Sequence, residues 1–145
     1  MTAVYDYDTY WKQLLGRVYA GETLEGNERL FYRLSMIRGD IYDDVAEYFE
    51  RQFAHFNDDM LDLEATGFGD LARELTELRI RLFGDAPLTQ KVIDDFFDRY
   101  WEDAESSLHE ELEGFSERLQ PRFDDLQDYR DRLGLREEFY QHLEW

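Results

Sequence analysis

The chain lacks cysteine altogether, holds only two prolines and two lysines, and has no apolar run of membrane-spanning length. Without cysteine there is no disulfide framework, no thiolate nucleophile and no thiolate metal site. The start of the chain also lacks the basic and apolar regions of a secretory leader. We therefore expect a soluble cytoplasmic protein that neither enters nor crosses a membrane.

The sequence also lacks the motifs of common catalytic chemistry. It has no Gly-rich phosphate loop and no Gly-x-Ser-x-Gly nucleophile motif. A protease-type zinc helix needs two histidines four residues apart, and Glu113 stands where the partner of His109 would be. Glu105, His109 and Glu113 share a helical face that can hold a divalent cation weakly, but a solvated charged face is the favoured explanation. We predict no enzyme, no cofactor and no metal.

What the sequence does contain is enough apolar material for one domain. Its 145 residues are 43% hydrophobic and 17% aromatic, which argues against disorder despite the high charge. Apolar residues recur at helical spacing from end to end, and no stretch alternates as a strand would. We predict an all-α, single-domain compact helical bundle of about seven to nine helices. They span residues 8–19, 27–38, 40–56, 58–66, 70–83, 90–101, 106–120, 121–134 and 135–143.

Capping residues set these predicted boundaries. Asn, Asp and Thr side chains accept hydrogen bonds from the free amides of a first helical turn, and glycine adopts the left-handed conformation that ends many helices. Proline is favoured in the first turn, whereas glycine inside a helix costs roughly 1 kcal/mol. The predicted N-caps are Asn27, Asp40 and Thr89, the predicted C-terminal glycines are Gly39, Gly67 and Gly84, and Gly114 and Pro121 are predicted to interrupt the last third.

Residues 40–56 are predicted to form the central helix of the fold. A period of 3.6 residues places five apolar side chains on one face of it and a row of carboxylates on the other. We expect Phe49 and Phe53 to be buried against the helices that contain Phe31, Leu34, Leu75 and Leu78. The apolar face comprises Tyr42, Val45, Phe49, Phe53 and Phe56.

The net charge of −19 is concentrated in two segments. Residues 40–70 hold ten acids and one base, and residues 85–131 hold fifteen acids and five bases, whereas the rest of the chain is close to neutral. Such a field repels nucleic acid and anionic membranes and attracts basic protein surfaces. We therefore expect a basic protein partner and no direct binding of nucleic acid.

Carboxylates on a rigid helix can imitate DNA. Acids at positions 40, 43 or 44, and 47 would follow one another about 5 Å apart along a helix axis, and duplex DNA carries one phosphate about every 3.4 Å along each strand. A protein surface that binds phosphates can therefore meet such a row with the same cations. The predicted partner-binding residues, expected to form one exposed surface with few bases inside it, are Asp40, Asp43, Asp44, Glu47, Glu50, Asp58, Asp59 and Asp62.

Four motifs follow one another within residues 27–83. They are Glu28-Arg29-Leu30-Phe31-Tyr32, Ile41 through Val45-Ala46-Glu47-Tyr48-Phe49, Leu61-Asp62-Leu63-Glu64-Ala65-Thr66-Gly67-Phe68 and Leu71-Ala72-Arg73-Glu74-Leu75. With these motifs the segment resembles the small acidic DNA-mimic protein family, although the family's Asn-Gly-Gly turn is replaced here by Tyr42-Asp43-Asp44. The resemblance implies an all-helical, often dimeric protein whose acidic surface occupies the DNA-binding site of a transcription regulator, and some relatives look like immunity proteins.

Three hypotheses follow for function. The first is a non-enzymatic acidic protein that blocks the DNA-binding site of a transcription regulator or other basic DNA-binding protein. Such a protein could be a monomer or a homodimer. The second is an immunity protein that neutralises a basic toxin. The third is a halophilic helical domain whose acidity serves only solvation, a reading favoured by 14 arginines against two lysines.

Overall fold

Helical periodicity in the sequence is realised throughout the computed structural model, which describes residues 7–102 and 107–134. Every regular element within these residues is helical, so the predicted all-α class is confirmed. A 3-10 turn at Phe53–His55 joins the third helix to the fourth. The helices are α1 (Tyr7–Tyr19), α2 (Gly26–Asp43), α3 (Val45–Gln52), α4 (Phe56–Ala65), α5 (Gly69–Phe83), α6 (Gln90–Tyr100) and α7 (Ser107–Gly134).

Two of the predicted helix boundaries are confirmed in atomic detail. The Thr89 hydroxyl accepts a hydrogen bond from the Val92 amide at 3.3 Å and caps the start of α6. Gly67 adopts a φ of +91° after α4, and the amide of Phe68 then donates to the carbonyl of Leu63 at 2.8 Å. This six-to-one bond is typical of a helix that ends in a left-handed glycine.

The predicted boundary between the second and the central helix is wrong. Gly39 does not end α2, which continues to Asp43, and Asn27 is not its cap because α2 begins at Gly26 without a side-chain cap. Ile37 and Ile41, on either side of Gly39, are both buried. Burial of these side chains offsets the roughly 1 kcal/mol that glycine costs inside a helix.

The central helix predicted over residues 40–56 is divided in two places. Asp44 is extended, with φ −162° and ψ 126°, and its side chain accepts from the Ala46 amide at 2.9 Å. The residue that caps this part of the chain is therefore Asp44 and not Asp40. A second change of direction occurs at the 3-10 turn, so the acids of this segment face different directions.

The last third of the described chain is one helix where two were predicted. α7 runs through Gly114 and Pro121 without interruption for 28 residues, so the two helices predicted over residues 106–120 and 121–134 are one. Its buried face continues on both sides of Pro121, with Leu112 and Phe115 before it and Phe123 and Leu126 after it. Packing against α2 therefore overrides the local signals of the two breakers.

The core confirms one of the two predicted central phenylalanines. Phe49 is fully buried in the main cluster with Leu34, Leu75 and Leu78, whereas Phe53 is only partly buried at its edge. Phe31 belongs to a second cluster where α1 meets the end of α7. Within residues 7–102 and 107–134, no helix combines the length and apolar character needed to span a bilayer. The helix predicted over 135–143 lies outside the described residues.

Candidate functional site

Asp59, one of the eight predicted partner-binding acids, is fully buried. The Arg33 guanidinium donates to both of its carboxylate oxygens, at 2.9 and 2.8 Å, and the Tyr48 hydroxyl donates at 2.8 Å. Arg33 also donates to the Gln52 side-chain oxygen at 2.9 Å. The prediction that Asp59 lies on an exposed face is therefore wrong, because a buried carboxylate with three donors joins α4 to α2 and α3.

The protonation equilibria of this network reflect its burial. Burial, with the Asp59 carboxylate beside it, raises the pKa of the Tyr48 hydroxyl far above its ordinary value. The hydrogen bonds and charge of Asp59 outweigh the desolvation of Arg33, so the pKa of Arg33 is also raised. Both groups stay in their donor forms, and the cluster is a structural one.

Arginines also lie among the other predicted acids. Arg29 donates two hydrogen bonds to Asp62, at 2.9 and 2.7 Å. Arg51 lies 3.3 Å from Asp40 and 3.6 Å from Glu47. The prediction of few basic residues inside this surface is therefore wrong, since Arg29, Arg33 and Arg51 take up four of its eight carboxylates.

Two more acids of this set bind side chains of α6 and the residue that follows it. Asp44 accepts from the Tyr100 hydroxyl at 3.0 Å, and Glu50 accepts from the Trp101 indole nitrogen at 2.8 Å. Asp58 is exposed, and the side chain of Asp43 lies outside what the structure describes. Because Asp44 also caps α3, its substitution is expected to lower stability.

The second acidic segment presents its carboxylates in a different way. Five exposed acids on α7 follow one another at intervals of three, four, seven and four residues, a pattern that keeps them on one stripe of a helix. At 1.5 Å per residue the stripe is about 27 Å long. It lies opposite the buried face of the helix. We call this set the α7 row: Glu110, Glu113, Glu117, Asp124 and Asp128.

Two arginines of α7, Arg118 and Arg122, lie on another side of the helix. Arg118 bonds Glu74 and Arg122 bonds Asp70, both on α5. These hydrogen bonds lower the pKa of Glu74 and of Asp70. Of the row itself, only Asp124 has an arginine atom near it in the described chain, the Nη2 of Arg38 at 3.8 Å. The row therefore keeps its negative charge available at the surface.

A polar groove of about 590 Å³ runs beside the first half of the row. Its walls include Glu113 and Glu117 of the row, with Asp44 and the ring of Tyr100 opposite. Partial burial and the Asp44 carboxylate raise the pKa of Tyr100 above its ordinary value. Acidic groups thus line both sides of the groove.

His109, the residue of the cation hypothesis, faces this groove but is engaged by the protein. Its Nε2 lies 2.7 Å from the Tyr100 carbonyl, and its ring stacks on the Tyr100 ring with centroids 4.0 Å apart. A nitrogen that donates to a carbonyl does not offer a lone pair to a metal. Glu105, the second member of the hypothesis, lies outside the described residues, and the structure brings together no group of three metal-binding side chains in the part it describes.

Comparison with known proteins gives no family for the chain: no protein-family model, no curated protein and no solved structure matches it. The resemblance of residues 27–83 to the DNA-mimic family therefore stays a prediction. The α7 row was not among the predicted site residues. Its spacing was visible in the sequence, but the predicted interruptions at Gly114 and Pro121 divided it between two helices.

Proposed function

We propose that the protein is a non-enzymatic acidic protein that binds a basic DNA-binding protein and occupies its DNA site as a mimic of duplex DNA. The observation that supports this proposal is the α7 row. It offers five exposed carboxylates on one rigid helix over about 27 Å, which is about three quarters of one turn of B-DNA. The contact residues of the mimic are those of the row.

The charge density of the row suits a partner that tracks a phosphate backbone. A DNA strand carries about eight phosphates in 27 Å, so the row carries more than half of that charge, with no base on its stripe between Glu110 and Asp128. The helix fixes the backbone of the row before binding, so the conformational entropy lost on binding is mainly that of the side chains of the two partners. Such a contact should associate rapidly with a basic partner, at a rate that falls as the salt concentration rises.

The test compares two variants with equal loss of charge. The row variant replaces Glu113, Glu117, Asp124 and Asp128 by Gln, Gln, Asn and Asn. The matched control removes the same number of charges from exposed acids elsewhere. The control replaces Glu25, Glu64, Glu77 and Asp85 by Gln, Gln, Gln and Asn.

Each protein is immobilised and used to capture partners from the native lysate at low and at high salt, and the captured protein is then purified and titrated. We expect a basic DNA-binding protein that binds the wild type and the control alike. The row variant should bind about tenfold to a hundredfold more weakly, since four exposed ion pairs at about 0.5 kcal/mol each are lost. Its affinity should also depend less steeply on salt.

A competition experiment decides whether the contact is mimicry. The captured protein is bound to its DNA, and increasing amounts of the acidic protein are added. Mimicry requires that the wild type displaces the DNA and that the row variant does not. Simultaneous binding of DNA and acidic protein, or equal affinity of the two variants, would contradict the proposal, and capture of a basic toxin that has no DNA site would favour the immunity function instead.

A further inference from the structure

An apolar groove of about 450 Å³ is lined by the end of α5, one face of α6 and the start of α7, and it shares Tyr100 with the polar groove. Its volume falls within the range of about 300 to 1,000 Å³ that is typical of small-molecule sites. Such sites are mostly apolar, with a small number of polar groups that orient the ligand. The apolar lining comprises Leu82, Phe83, Val92, Phe96, Tyr100 and Leu108.

The floor of the groove is a fixed set of aromatic rings. Phe96 lies 4.8 Å from Phe83 and stacks on Tyr100 at 5.8 Å, centroid to centroid. Phe83 and Phe96 are only partly buried, whereas Tyr100 is buried. The groove therefore exposes apolar surface that the packing of the chain holds in place, and covering that surface is favourable for a ligand.

The polar rim of the groove carries Arg99, which is exposed. Among the described residues, none forms a hydrogen bond or ion pair with it. Asp95, one helical turn before it, also lines the groove but is bonded to Lys91 at 2.8 Å. An arginine with no carboxylate partner in the part of the chain that the structure describes leaves a site for an external anion.

We propose that this groove binds a small free amphipathic carboxylate, with its apolar body on Phe83 and Phe96 and its carboxylate on Arg99. Guanidinium and carboxylate groups form paired hydrogen bonds, so Arg99 supplies orientation while the aromatic floor supplies most of the affinity. The net charge of −19 opposes any anion, but charges farther away than about 10 Å are largely screened at 0.1 M salt.

The net charge of the protein and the charge of Arg99 therefore predict opposite orders of affinity for three ligands that share one alkyl group. Decanoate, decanol and decylammonium are titrated separately into the full chain by calorimetry in 0.1 M salt, below the concentrations at which they form micelles. If Arg99 determines the preference, decanoate binds most tightly at one site per chain and decylammonium most weakly. If the overall negative field determines it, the order is reversed, which would overturn the proposal.

Two variants locate the binding. Arg99→Gln should weaken decanoate about three- to fivefold and leave decanol unchanged, as expected for an exposed ion pair. Arg73→Gln is the matched control, because Arg73 is an exposed arginine on the face of α5 opposite Leu82. Val92→Gln, at a half-buried lining position, should weaken all three ligands alike.

The remaining outcomes are equally decisive. Equal effects of Arg99→Gln and Arg73→Gln on decanoate would overturn the proposal, because binding would then follow net charge. Absence of saturable decanoate binding to the wild type would overturn it as well. A second copy of the chain could occupy the groove instead of a ligand, and sedimentation of the wild type and Val92→Gln tests this. If the wild type is a dimer and Val92→Gln is a monomer, a second copy covers the groove and the proposal is overturned.

Discussion

The two acidic segments of the chain carry almost the same charge, −9 over residues 40–70 and −10 over residues 85–131, and the fold uses them in opposite ways. In the first segment, carboxylates are drawn inward or held by arginines, as Asp59 and Asp62 show. In the second, the α7 row stays exposed along one continuous helix. Net charge along a sequence therefore does not predict the charge that a surface displays.

The arginines explain the difference. Arg29 and Arg33 belong to the neutral N-terminal part of the sequence, but α2 carries them across the fold to the acids of α4. Arg118 and Arg122 belong to the acidic second segment, but Arg118 bonds Glu74 on α5, and Arg122 bonds Asp70 on α5 and Asp125 of its own helix, which is not in the row. The arginines of α7 therefore do not pair with the α7 row, whereas the arginines of α2 pair with acids of the first segment. The substitutions below test this difference.

The largest effect is expected at Asp59. Asp59→Ala leaves the buried Arg33 guanidinium without its carboxylate and should lower the free energy of unfolding by about 3 to 5 kcal/mol. The neighbouring Asp58→Ala, at an exposed acid, should change it by less than about 0.5 kcal/mol. Urea unfolding of both variants measures the contrast, and similar effects of the two would mean that Asp59 is not the buried acid described here.

A double change sharpens that result. Combining Asp59→Leu with Arg33→Met removes both charges, so no buried charge is left unpaired, although the Tyr48 hydroxyl loses its acceptor. We expect this variant to be more stable than Asp59→Ala. A double variant that is less stable than the single one would show that the pair contributes more than the avoidance of an unpaired charge.

The next effect concerns Tyr48 and alkaline pH. Tyr48→Phe removes a hydrogen bond to a buried carboxylate and should cost about 1.5 to 3 kcal/mol at neutral pH. Burial raises the pKa of Tyr48 in the folded state. Its contribution to the free energy of unfolding is therefore complete below the ordinary tyrosine pKa of about 10, and it is lost as the pH rises from there through the pKa of the folded state. The advantage of the wild type should therefore narrow above about pH 10.

Unfolding midpoints of the wild type and Tyr48→Phe from pH 7 to 11 measure this narrowing. Tyr129→Phe, at a half-buried ring that packs against Phe68, is the control and should change stability by less than about 0.5 kcal/mol. A constant difference between the wild type and Tyr48→Phe up to pH 11 would contradict the linkage.

Pro121 tests whether α7 is continuous. Proline inside a helix costs about 3 kcal/mol, partly offset by the stiffer unfolded chain, so Pro121→Ala should stabilise the protein by about 2 kcal/mol. Gly114→Ala should stabilise it by about 1 kcal/mol, because no atom lies within 4 Å of the added methyl group. If a new helix began at Pro121, Pro121→Ala would instead be neutral or destabilising in thermal unfolding.

The smallest effect has opposite signs in the two segments. The row variant removes repulsion between like charges and should be more stable than the wild type by about 0.3 to 1 kcal/mol at low salt. Its neutralised positions are Glu113, Glu117, Asp124 and Asp128. Asp62→Asn should destabilise the protein by up to about 1 kcal/mol, because the Arg29 pair is lost. Both effects should shrink in molar salt, and the same sign for both variants would remove the contrast between the segments.

Local sequence was sufficient for the helical class and for several helix ends. The all-α fold follows from apolar spacing, and the ends at Gly67 and Thr89 follow from residues that act within one turn of the helix. The burial of Phe49 was likewise predictable from the stripe that it shares with its neighbours. Each of these features depends on residues fewer than about eight positions apart.

Tertiary structure alone decided how the charges are paired. Asp58 and Asp59 are adjacent and chemically alike, but Asp59 lies on the buried face of α4 with Phe56 and Leu63, whereas Asp58 lies in water. Arg33, 26 residues away in sequence, supplies the hydrogen bonds that the buried carboxylate needs. The continuity of α7 was decided in the same way, because burial of Leu112, Phe115 and Leu126 against distant helices outweighs the local cost of Pro121. Residues that are distant in sequence determine how a buried charge is paired and how far α7 continues. A local sequence pattern does not reveal which distant residues folding brings together.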